Sequence, residues 1–340
     1  MTDLSRTREV ENSVRYDSSR IDQGLVYYSF EYRHFLEQLL GCETRYIIGG
    51  TESNVVALMP MAIVDGPFGR VLNSLPFFGS HGAPVANEHS PVRVSQLIYN
   101  LEDEIKKDEY RAVTLIENPF MPLSSSEIGQ LELLRVVESR VSQVTHWNTS
   151  PPGSVEELLL KFHGKMRNAI RKGQSTGQTV VSGSSRREWD FLLMHHQRSI
   201  EAKGGVAKSE EVFRSLKFAF GTNLKLHCGY VDHELSCALL TIRYGSTIEY
   251  FVPVVSEQFR NMQVLPHLIS QVMFDAFRDG VTLWNWGGTW KSQVSLMNFK
   301  SRFGAINREY RYLNWHHPSL KDIDSQSIQD HYRYWYVRKF

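Results

Sequence analysis

A lysine and a tyrosine in the C-terminal half of the chain have the chemistry for a group-transfer reaction. Lys300 follows an aromatic segment, a glycine pair and Phe299. A lysine ammonium can stabilise the oxyanion of a tetrahedral intermediate or hold a phosphate, because it supplies positive charge and three N–H donors. Tyr250 lies in a strand-like segment and could bind an acceptor or relay a proton. The alternatives are an exposed lysine with a solvated charge and a tyrosine that packs in the core.

A basic helix supplies a second candidate site. Lys165, Arg167, Arg171 and Lys172 occur in a stretch that contains no acidic residue between positions 161 and 175. Positions 167 and 171 are four residues apart and therefore share one helix face. Guanidinium groups suit bidentate binding of phosphate, so this face could hold a diphosphate or an RNA backbone. A solvated helix face is the alternative interpretation.

Further polar candidates lie where predicted strands or loops end. Asn285 and Trp286 come at the end of an aromatic strand, where ligands gather in open α/β sheets. Asn285 is the expected polar ligand, and at least one of Trp284 and Trp286 is expected in the core. Arg243 lies on a strand paired with that of Tyr250, and a packing role is the alternative for each of these residues.

Composition limits the class of protein. Of the 340 residues, 41% are hydrophobic and 22% are charged, and the net charge of +1 gives no overall field that would attract DNA. The three cysteines are far apart and lack metal-ligand spacing. The polar N-terminus does not have the pattern of a secretory signal, and no apolar run is long enough to cross a membrane. These features predict a cytoplasmic protein without an integral membrane segment, a metal or a tightly bound cofactor.

The order of predicted elements repeats along the chain. Residues 25–147 read as a helix over Phe30–Leu40, strands, an irregular loop, a helix over 92–106 and a strand over 112–117. The segment Asn148–Gly153 reads as a linker. The second half is predicted to contain helices over 155–172, 186–202, 209–221 and 265–278, and strands over 178–182, 224–231, 234–243, 247–255, 281–286 and 306–314. Glycines 173 and 177 are interpreted as a hinge, and glycines 287 and 288 as the end of a strand.

The chain resembles the FemAB family in the order of several motifs. These are the strand, loop and helix of residues 247–278, the glycine pair after Trp284 and Trp286, the Phe299–Lys300 pair, and the basic helix. FemAB-family proteins are transferases with the GNAT (acyl-CoA N-acyltransferase) fold that move an aminoacyl group from aminoacyl-tRNA to a peptidoglycan precursor. The resemblance extends from about Tyr28 to Leu313. It implies an α/β protein with two tandem GNAT-like domains and a cleft between them.

The resemblance also implies domain limits and residue roles. It assigns residues 1–150, joined by 316–340, to an N-terminal domain and residues 151–315 to a C-terminal domain. In relatives the phenylalanine–lysine pair lies at the aminoacyl-donor site, which implies that role for Phe299 and Lys300. The loop that contains His81 borders the nucleotide-sugar substrate in relatives. His81 could also act as a general base at neutral pH, although a loop histidine without a role is the alternative.

A region of relatives that contacts the substrate diphosphate corresponds to Tyr32 and Arg33. The implied function is transfer of an aminoacyl or acyl group onto an amine of a cell-wall precursor, an amino sugar or a related small molecule. The acceptor would be a small or nucleotide-linked amine, and the donor aminoacyl-tRNA or acyl-CoA.

Two other functions stay open on the sequence. One is an acyl-CoA-dependent N-acyltransferase of surface-glycan or small-molecule biosynthesis. Against it, the loop after Val255 reads SEQFRNMQVLP and lacks the Q/R-x-x-G-x-G/A cradle that GNAT enzymes use for the coenzyme A pyrophosphate. The other is a tandem-GNAT binding protein without catalytic activity. Direct attack of an amine on an activated ester needs no protein nucleophile, only positioning, deprotonation and oxyanion stabilisation.

Overall fold

Two compact units make up the chain. The computed structural model describes residues 7–10, 25–51, 54–77, 82, 84–87, 94–107, 109–148 and 150–337. Unit 1 comprises Met1–Val141 and Arg308–Phe340, and unit 2 comprises Ser142–Asn307. The predicted site residue His81 lies outside the described residues.

Unit 1 contains an antiparallel meander that is followed by a parallel strand. Its strands are β1 (Thr7–Val10), β2 (Glu43–Thr51), β3 (Asn54–Gly66), β4 (Gly69–Asn73), β5 (Val85–Ala86), β6 (Ala112–Ile116), β13 (Ile306–His316) and the first part of β7 (Arg135–His146). Its helices are α1 (Phe30–Leu40), α2 (Val94–Lys106), α3 (Ser125–Gly129) and α10 (Ser325–His331). The strand order is β1-β2-β3-β4-β6-β13-β7, and β5 pairs with β3.

Helix α2 connects β4 to β6 and packs in the core of unit 1. These two strands are parallel, and a parallel pair needs a crossover, which α2 supplies. The apolar side of α2, with Leu97, Ile98, Leu101 and Ile105, packs into the same core as β3, β4 and β6. The C-terminal segment lies against this unit, where the Asn314 amide donates to the Val337 carbonyl and the Tyr332 hydroxyl donates to the Gly69 carbonyl.

Unit 2 repeats this plan with more helices. Its strands are β8 (Thr179–Gly183), β9 (Leu224–Val231), β10 (Glu234–Tyr244), β11 (Thr247–Val255), β12 (Leu283–Thr289) and the last residues of β7. Its helices are α4 (Val155–Leu160), α5 (Gly164–Gln174), α6 (Arg186–Glu201), α7 (Glu210–Phe220), α8 (Val264–Arg278) and α9 (Val294–Ser301). The strand order is β7-β12-β11-β10-β9-β8, and α8 provides the crossover between the parallel strands β11 and β12.

The two parallel strands of unit 2 separate soon after they meet. Their pairing covers Thr247–Glu249 on β11 and Leu283–Asn285 on β12, and it ends there. On the other side of β11, the register with β10 shifts between Leu240 and Thr241, which marks a β-bulge. Beyond Glu249 and Asn285, backbone groups of β11 and β12 therefore no longer bond each other, and the candidate site lies at this opening.

Three local predictions differ from the structure. The single helix expected over 155–172 is two helices, because the chain turns at Lys161–His163, where the His163 N–H donates to the Arg302 carbonyl. Glycine 173 is not a hinge but lies inside α5, where a Cβ would come within 2.4 Å of the Gln263 carbonyl oxygen. Strand β12 does not end at Gly287 but continues to Thr289.

Candidate active site

Lys300 lies almost entirely out of contact with solvent. Its side chain is only 3% exposed, on α9, a helix that the sequence did not predict. Its Nζ donates a hydrogen bond of 2.7 Å to Thr289 Oγ1 and a long one of 3.4 Å to the Gly287 carbonyl. An ammonium has three N–H donors. Among the described residues these two oxygens are its partners, so one donor is left for a ligand.

Burial changes the acidity of this ammonium. Loss of hydration lowers the pKa of Lys300 from its ordinary value of 10.5 to about 7. No carboxylate forms an ion pair with Lys300 among the residues that the structure describes, so the desolvation cost of the charge is not offset. An isolated, poorly hydrated positive charge stabilises a developing negative charge more strongly than a solvated one does. The alternative of a solvated surface lysine is excluded by this burial.

Asn285 organises the backbone next to Lys300. This buried amide donates to both carboxylate oxygens of Glu249, at 3.1 and 2.8 Å, across the last paired position of β11 and β12. Its Oδ1 accepts from the Gly287 N–H at 3.0 Å. Gly287 has φ +71°, a value that glycine adopts at no steric cost. Hydrogen bonds therefore link Glu249 to Asn285, Asn285 to the Gly287 N–H, and the Gly287 carbonyl to Lys300.

Strand β7 fixes the helix that carries Lys300. The Gln143 amide donates to the Met297 carbonyl at 3.0 Å and to Ser301 Oγ at 3.1 Å. Both acceptors are on α9. Gln143 is fully buried, and its Oε1 has no hydrogen-bond partner among the described residues. This side chain therefore positions α9 and keeps one acceptor unused beside it.

Tyr250 belongs to an aromatic cluster on the other face of the strand. Its ring lies 4.8 Å from that of Trp286 and 6.2 Å from that of Trp284. Phe303 packs at 5.0 Å against Trp286, and Phe299 packs against both Trp286 and Phe303. Burial raises the pKa of Tyr250. The phenol therefore stays protonated and is a weaker acid than an exposed tyrosine.

The basic helix α5 presents its charges to solvent. Lys165, Arg171 and Lys172 are exposed and Arg167 is half-buried. Within the described part of the chain, no carboxylate or other polar side chain pairs with these four groups. The opposite side of α5, with Met166 and Ile170, packs in the core of unit 2. The apolar side of α5 therefore anchors the helix, and its charged side faces solvent.

Arg243 has a local structural role. Its Nη2 donates to the Asp279 carbonyl at 3.0 Å, and its Nε donates to the Gly245 carbonyl at 3.4 Å. These bonds tie the β10–β11 turn to the end of α8. On the paired strand it is opposite Ile248, whereas Tyr250 is opposite Thr241. Its predicted role in substrate binding stays a prediction.

Tyr32 and Arg33 belong to α1 in unit 1, and both side chains are buried. They line a pocket of about 10 Å³ together with Thr44, Tyr46 and Ser74. That volume accommodates roughly one water molecule. The Arg33 guanidinium lies 4.8 Å from the centre of the Phe30 ring and 5.3 Å from that of Tyr46. Contact with a diphosphate, as predicted, would require this pocket to open.

The N-terminus of α8 differs from a pyrophosphate cradle. Such a cradle needs free backbone N–H groups at a helix start. Here Val264 is buried, Pro266 has no N–H, and the Gln263 carbonyl is held against Gly173 of α5. The helix start therefore lacks a pyrophosphate cradle, as the absence of the glycine motif from this loop predicted.

Sequence reasoning missed several parts of the site. Thr289 and Gln143 carry no motif, and β7 itself was not predicted. Glu249 lies in the predicted strand over 247–255, but its link to Asn285 depends on strand register. Among the described residues, no three His, Cys, Asp or Glu side chains converge to hold a metal, and no described helix is long and apolar enough to cross a bilayer.

The comparisons with known proteins identify the fold. Residues 161–300 match the acetyltransferase (GNAT) domain family, and this match includes α5, β11, β12 and Lys300. The chain has the mixed α/β GNAT fold in tandem form, as the resemblance predicted. No curated protein sequence matches it.

A solved structure resembles the chain over almost its whole length. The crystal structure of FemX superposes with a TM-score of 0.71 at 13% identity, covering 93% of this chain and 99% of FemX. A conserved protein of unknown function from Bacteroides thetaiotaomicron superposes with a TM-score of 0.55 at 11% identity, covering 87% of this chain and 93% of that one. At these identities the likeness is one of fold.

Proposed function

We propose that this chain transfers an aminoacyl or acyl group onto the amine of a cell-wall precursor, an amino sugar or a related small molecule. The observation that carries the proposal is the buried Lys300 ammonium, held by Thr289 and Gly287 where β11 and β12 separate. GNAT folds are acyltransferase folds, and this is a site where an oxyanion would meet a preorganised positive charge.

The reaction needs few groups. The amine nitrogen attacks the carbonyl carbon of an ester or thioester, and the carbonyl oxygen becomes an oxyanion that accepts the free N–H of Lys300. Collapse breaks the bond to the leaving hydroxyl or thiol, which takes the electron pair and needs a proton. The amine loses a proton in the same sequence. The proton that the amine loses balances the one that the leaving group gains, so no protein base is required, and the proton-relay role of Tyr250 stays a prediction because its ring packs in the aromatic cluster on the other face of the strand.

The donor we favour is aminoacyl-tRNA rather than acyl-CoA. The start of α8 lacks the glycines that would bind a coenzyme A pyrophosphate. It also lacks a full set of backbone N–H donors. The exposed cations Lys165 and Arg171 and the half-buried Arg167 supply a phosphate-binding face that does not depend on that helix end. The hydrogen bond from the Gly287 N–H to Asn285 supports a role for Asn285 beside Lys300, whereas the substrate-binding roles of Trp286 and Phe299 stay predictions, because both rings pack in the aromatic cluster.

An assay of donor consumption tests this function. The protein would be incubated with labelled aminoacyl-tRNA and, separately, with acetyl-CoA, in the presence of an amino sugar or a nucleotide-linked peptide that carries a free amine. We expect acceptor-dependent loss of aminoacyl-tRNA. Consumption of acetyl-CoA alone would establish the acyl-CoA-dependent enzyme instead. Binding of acceptor without consumption of either donor would indicate a binding protein.

Matched variants connect the activity to the site. Lys300→Met should lower turnover at least tenfold, because loss of one oxyanion donor costs about 3 kcal/mol of transition-state stabilisation. Lys203→Met, at an exposed lysine after α6, should leave turnover unchanged. Equal turnover in both folded variants would remove Lys300 from the mechanism.

A further inference from the structure

A cavity of unit 2 shares no lining residue with the site around Lys300. Its walls are the first turns of α6 and the start of β10, and its volume is about 680 Å³. Pockets that hold small molecules have volumes of roughly 300–1,000 Å³. We name this cavity the α6–β10 pocket. Its size is suitable for a small organic ligand.

Apolar side chains line the α6–β10 pocket on both sides. Phe191 and Met194 come four and seven positions after Arg187, so these three residues share one face of α6. Met194 is 40% exposed, and Leu235 lines the pocket from β10. Methionine is flexible and polarisable, and it adapts to ligands of different shape. The pocket therefore offers an apolar surface with a cation at one end.

Hydrogen bonds hold the two walls of the pocket together. Leu235 is opposite Tyr230 in the pairing of β9 with β10. The Tyr230 hydroxyl donates to Glu188 on α6 at 2.8 Å, and the same carboxylate accepts from the Ser185 N–H at 2.7 Å. The strand pair is thus tied to the start of α6. A pocket with fixed walls loses less entropy when a ligand binds.

One charged side chain of the pocket is available to a ligand. Arg186 lies 3.7 Å from Asp190, and the Glu234 carboxylate accepts from the Gln258 amide at 3.0 Å. Arg187 forms no hydrogen bond or ion pair with any residue that the structure describes. It is also in the first turn of α6, where the helix dipole favours negative charge. A carboxylate is the ligand group that these features favour, because a guanidinium binds it with two parallel hydrogen bonds.

We infer that the α6–β10 pocket binds a monocarboxylate with an apolar body, such as a medium-chain fatty acid. Arg187 holds the carboxylate, and the three apolar side chains contact the chain. The two carboxylates that line the pocket, Asp190 and Glu234, repel a second negative charge and so select against dicarboxylates. The inference does not depend on acyl transfer, because it concerns binding alone and involves none of the groups around Lys300.

Binding of three ligands of equal chain length tests the inference. The full chain would be titrated in a calorimeter with decanoate, decanol and decanedioate, below the concentrations at which decanoate forms micelles. We expect saturable binding of decanoate. Decanol lacks the charge that Arg187 binds, and decanedioate carries a second one, so both should bind at least about tenfold more weakly. Absence of saturable decanoate binding would overturn the inference.

Variants locate the binding within the molecule. Arg187→Gln should weaken decanoate binding about tenfold and remove the preference for decanoate over decanol. Met194→Asp should also weaken it, because a charge would replace an apolar contact. Arg214→Gln, at an exposed arginine of α7, is the matched control and should bind as the unchanged protein does. All three positions are exposed, so folding should be preserved. Equal decanoate affinity in Arg187→Gln and Arg214→Gln would overturn the inference.

Discussion

Lys300 is a charged group that the fold keeps out of water, and its chemistry follows from that position. The pKa of about 7 arises from burial, not from a neighbouring charge. The sequence was sufficient to single out Lys300, Asn285 and Trp286, because they stand in a recognisable order of strand, glycines and aromatic residue. It was not sufficient to find Thr289 or Gln143. Their roles come from hydrogen bonds between elements that are far apart in the chain.

The buried ammonium should make stability depend on pH. The folded pKa of about 7 lies below the ordinary 10.5, so between these values the unfolded chain binds more protons. The free energy of unfolding should therefore rise with pH across this window through this group, and the full cost of the buried charge should be present below about pH 7. Lys300→Met removes the group. Urea unfolding at several pH values should show the unchanged protein gaining stability relative to the variant. If the free energy of unfolding depended on pH in the same way in both proteins, Lys300 would not be desolvated in solution.

The Glu249–Asn285 pair should be sensitive to loss of the carboxylate. In Glu249→Gln, a side-chain N–H₂ would replace one of the two oxygens that accept from the Asn285 amide. A buried donor left without an acceptor costs about 1–3 kcal/mol. We expect a lower melting temperature and slower acyl transfer, because Asn285 also holds the Gly287 peptide. Glu234→Gln, at an exposed position on β10, is the control. Equal stability of the two variants would show that the pair does not order the site.

At the scale of elements, local pattern predicted most helices and strands, and packing decided the exceptions. The apolar periodicity of α1 and α8 was read correctly because their stripes are regular. The break between α4 and α5 has no proline or glycine at its centre. It depends on the His163–Arg302 contact, which joins residues 139 positions apart. Helix α9 is short and mostly exposed, so it has no apolar stripe to detect.

The contact between α5 and α8 should not tolerate a side chain at position 173. A Cβ there would lie 2.4 Å from the Gln263 carbonyl oxygen and 2.7 Å from His267 Cβ. The first is backbone and cannot move aside cheaply, so Gly173→Ala should destabilise by about 1–3 kcal/mol, as overpacking typically does. Gly164→Ala, at the start of the same helix, would meet only Arg167 Nη2 at 3.8 Å, an ordinary van der Waals contact, and should change stability by less than about 0.5 kcal/mol. Thermal unfolding of both variants measures the difference, and equal melting temperatures would contradict the packing.

The cations of α5 should bind anions without contributing to stability. Arg167→Gln combined with Arg171→Gln should weaken binding of a phosphorylated partner, and the melting temperature should change little because both side chains lack partners among the described residues. A steep dependence of binding on salt indicates a polyanion, and a shallow one indicates a single diphosphate. Unchanged binding at every salt concentration would show that this face is only solvated.

At the scale of the whole molecule, the same plan occurs in both units: an antiparallel meander, a helical crossover and a parallel strand. The recurrence of element types in the sequence was enough to predict a tandem arrangement. The resemblance implied the return of the C-terminal segment to unit 1. The hydrogen bonds that anchor this segment could not be predicted from the sequence. They join main-chain carbonyls to side chains more than twenty or, for Tyr332, more than two hundred positions away.

Removal of this C-terminal segment should weaken unit 1. Ending the chain at His331 removes the Tyr332 hydroxyl that bonds Gly69, the Tyr334 carbonyl that accepts from Phe77, and the Val337 carbonyl that accepts from Asn314. We expect faster hydrogen exchange in β4, β6 and β13. A chain ending at Val337 keeps these bonds and serves as the control. Equal exchange in the two truncated proteins would show that the segment only covers the surface.

The most direct test of the account is the pH dependence of the acyl-transfer step. Single-turnover rates would be measured across neutrality with donor and acceptor already bound, for the unchanged protein and for Lys300→Met. If the Lys300 ammonium stabilises the oxyanion, the rate should fall as pH rises through about 7, and the variant should be at least tenfold slower and lack this fall. A rate that does not change at neutral pH, or a variant as fast as the unchanged protein, would contradict the central role of Lys300.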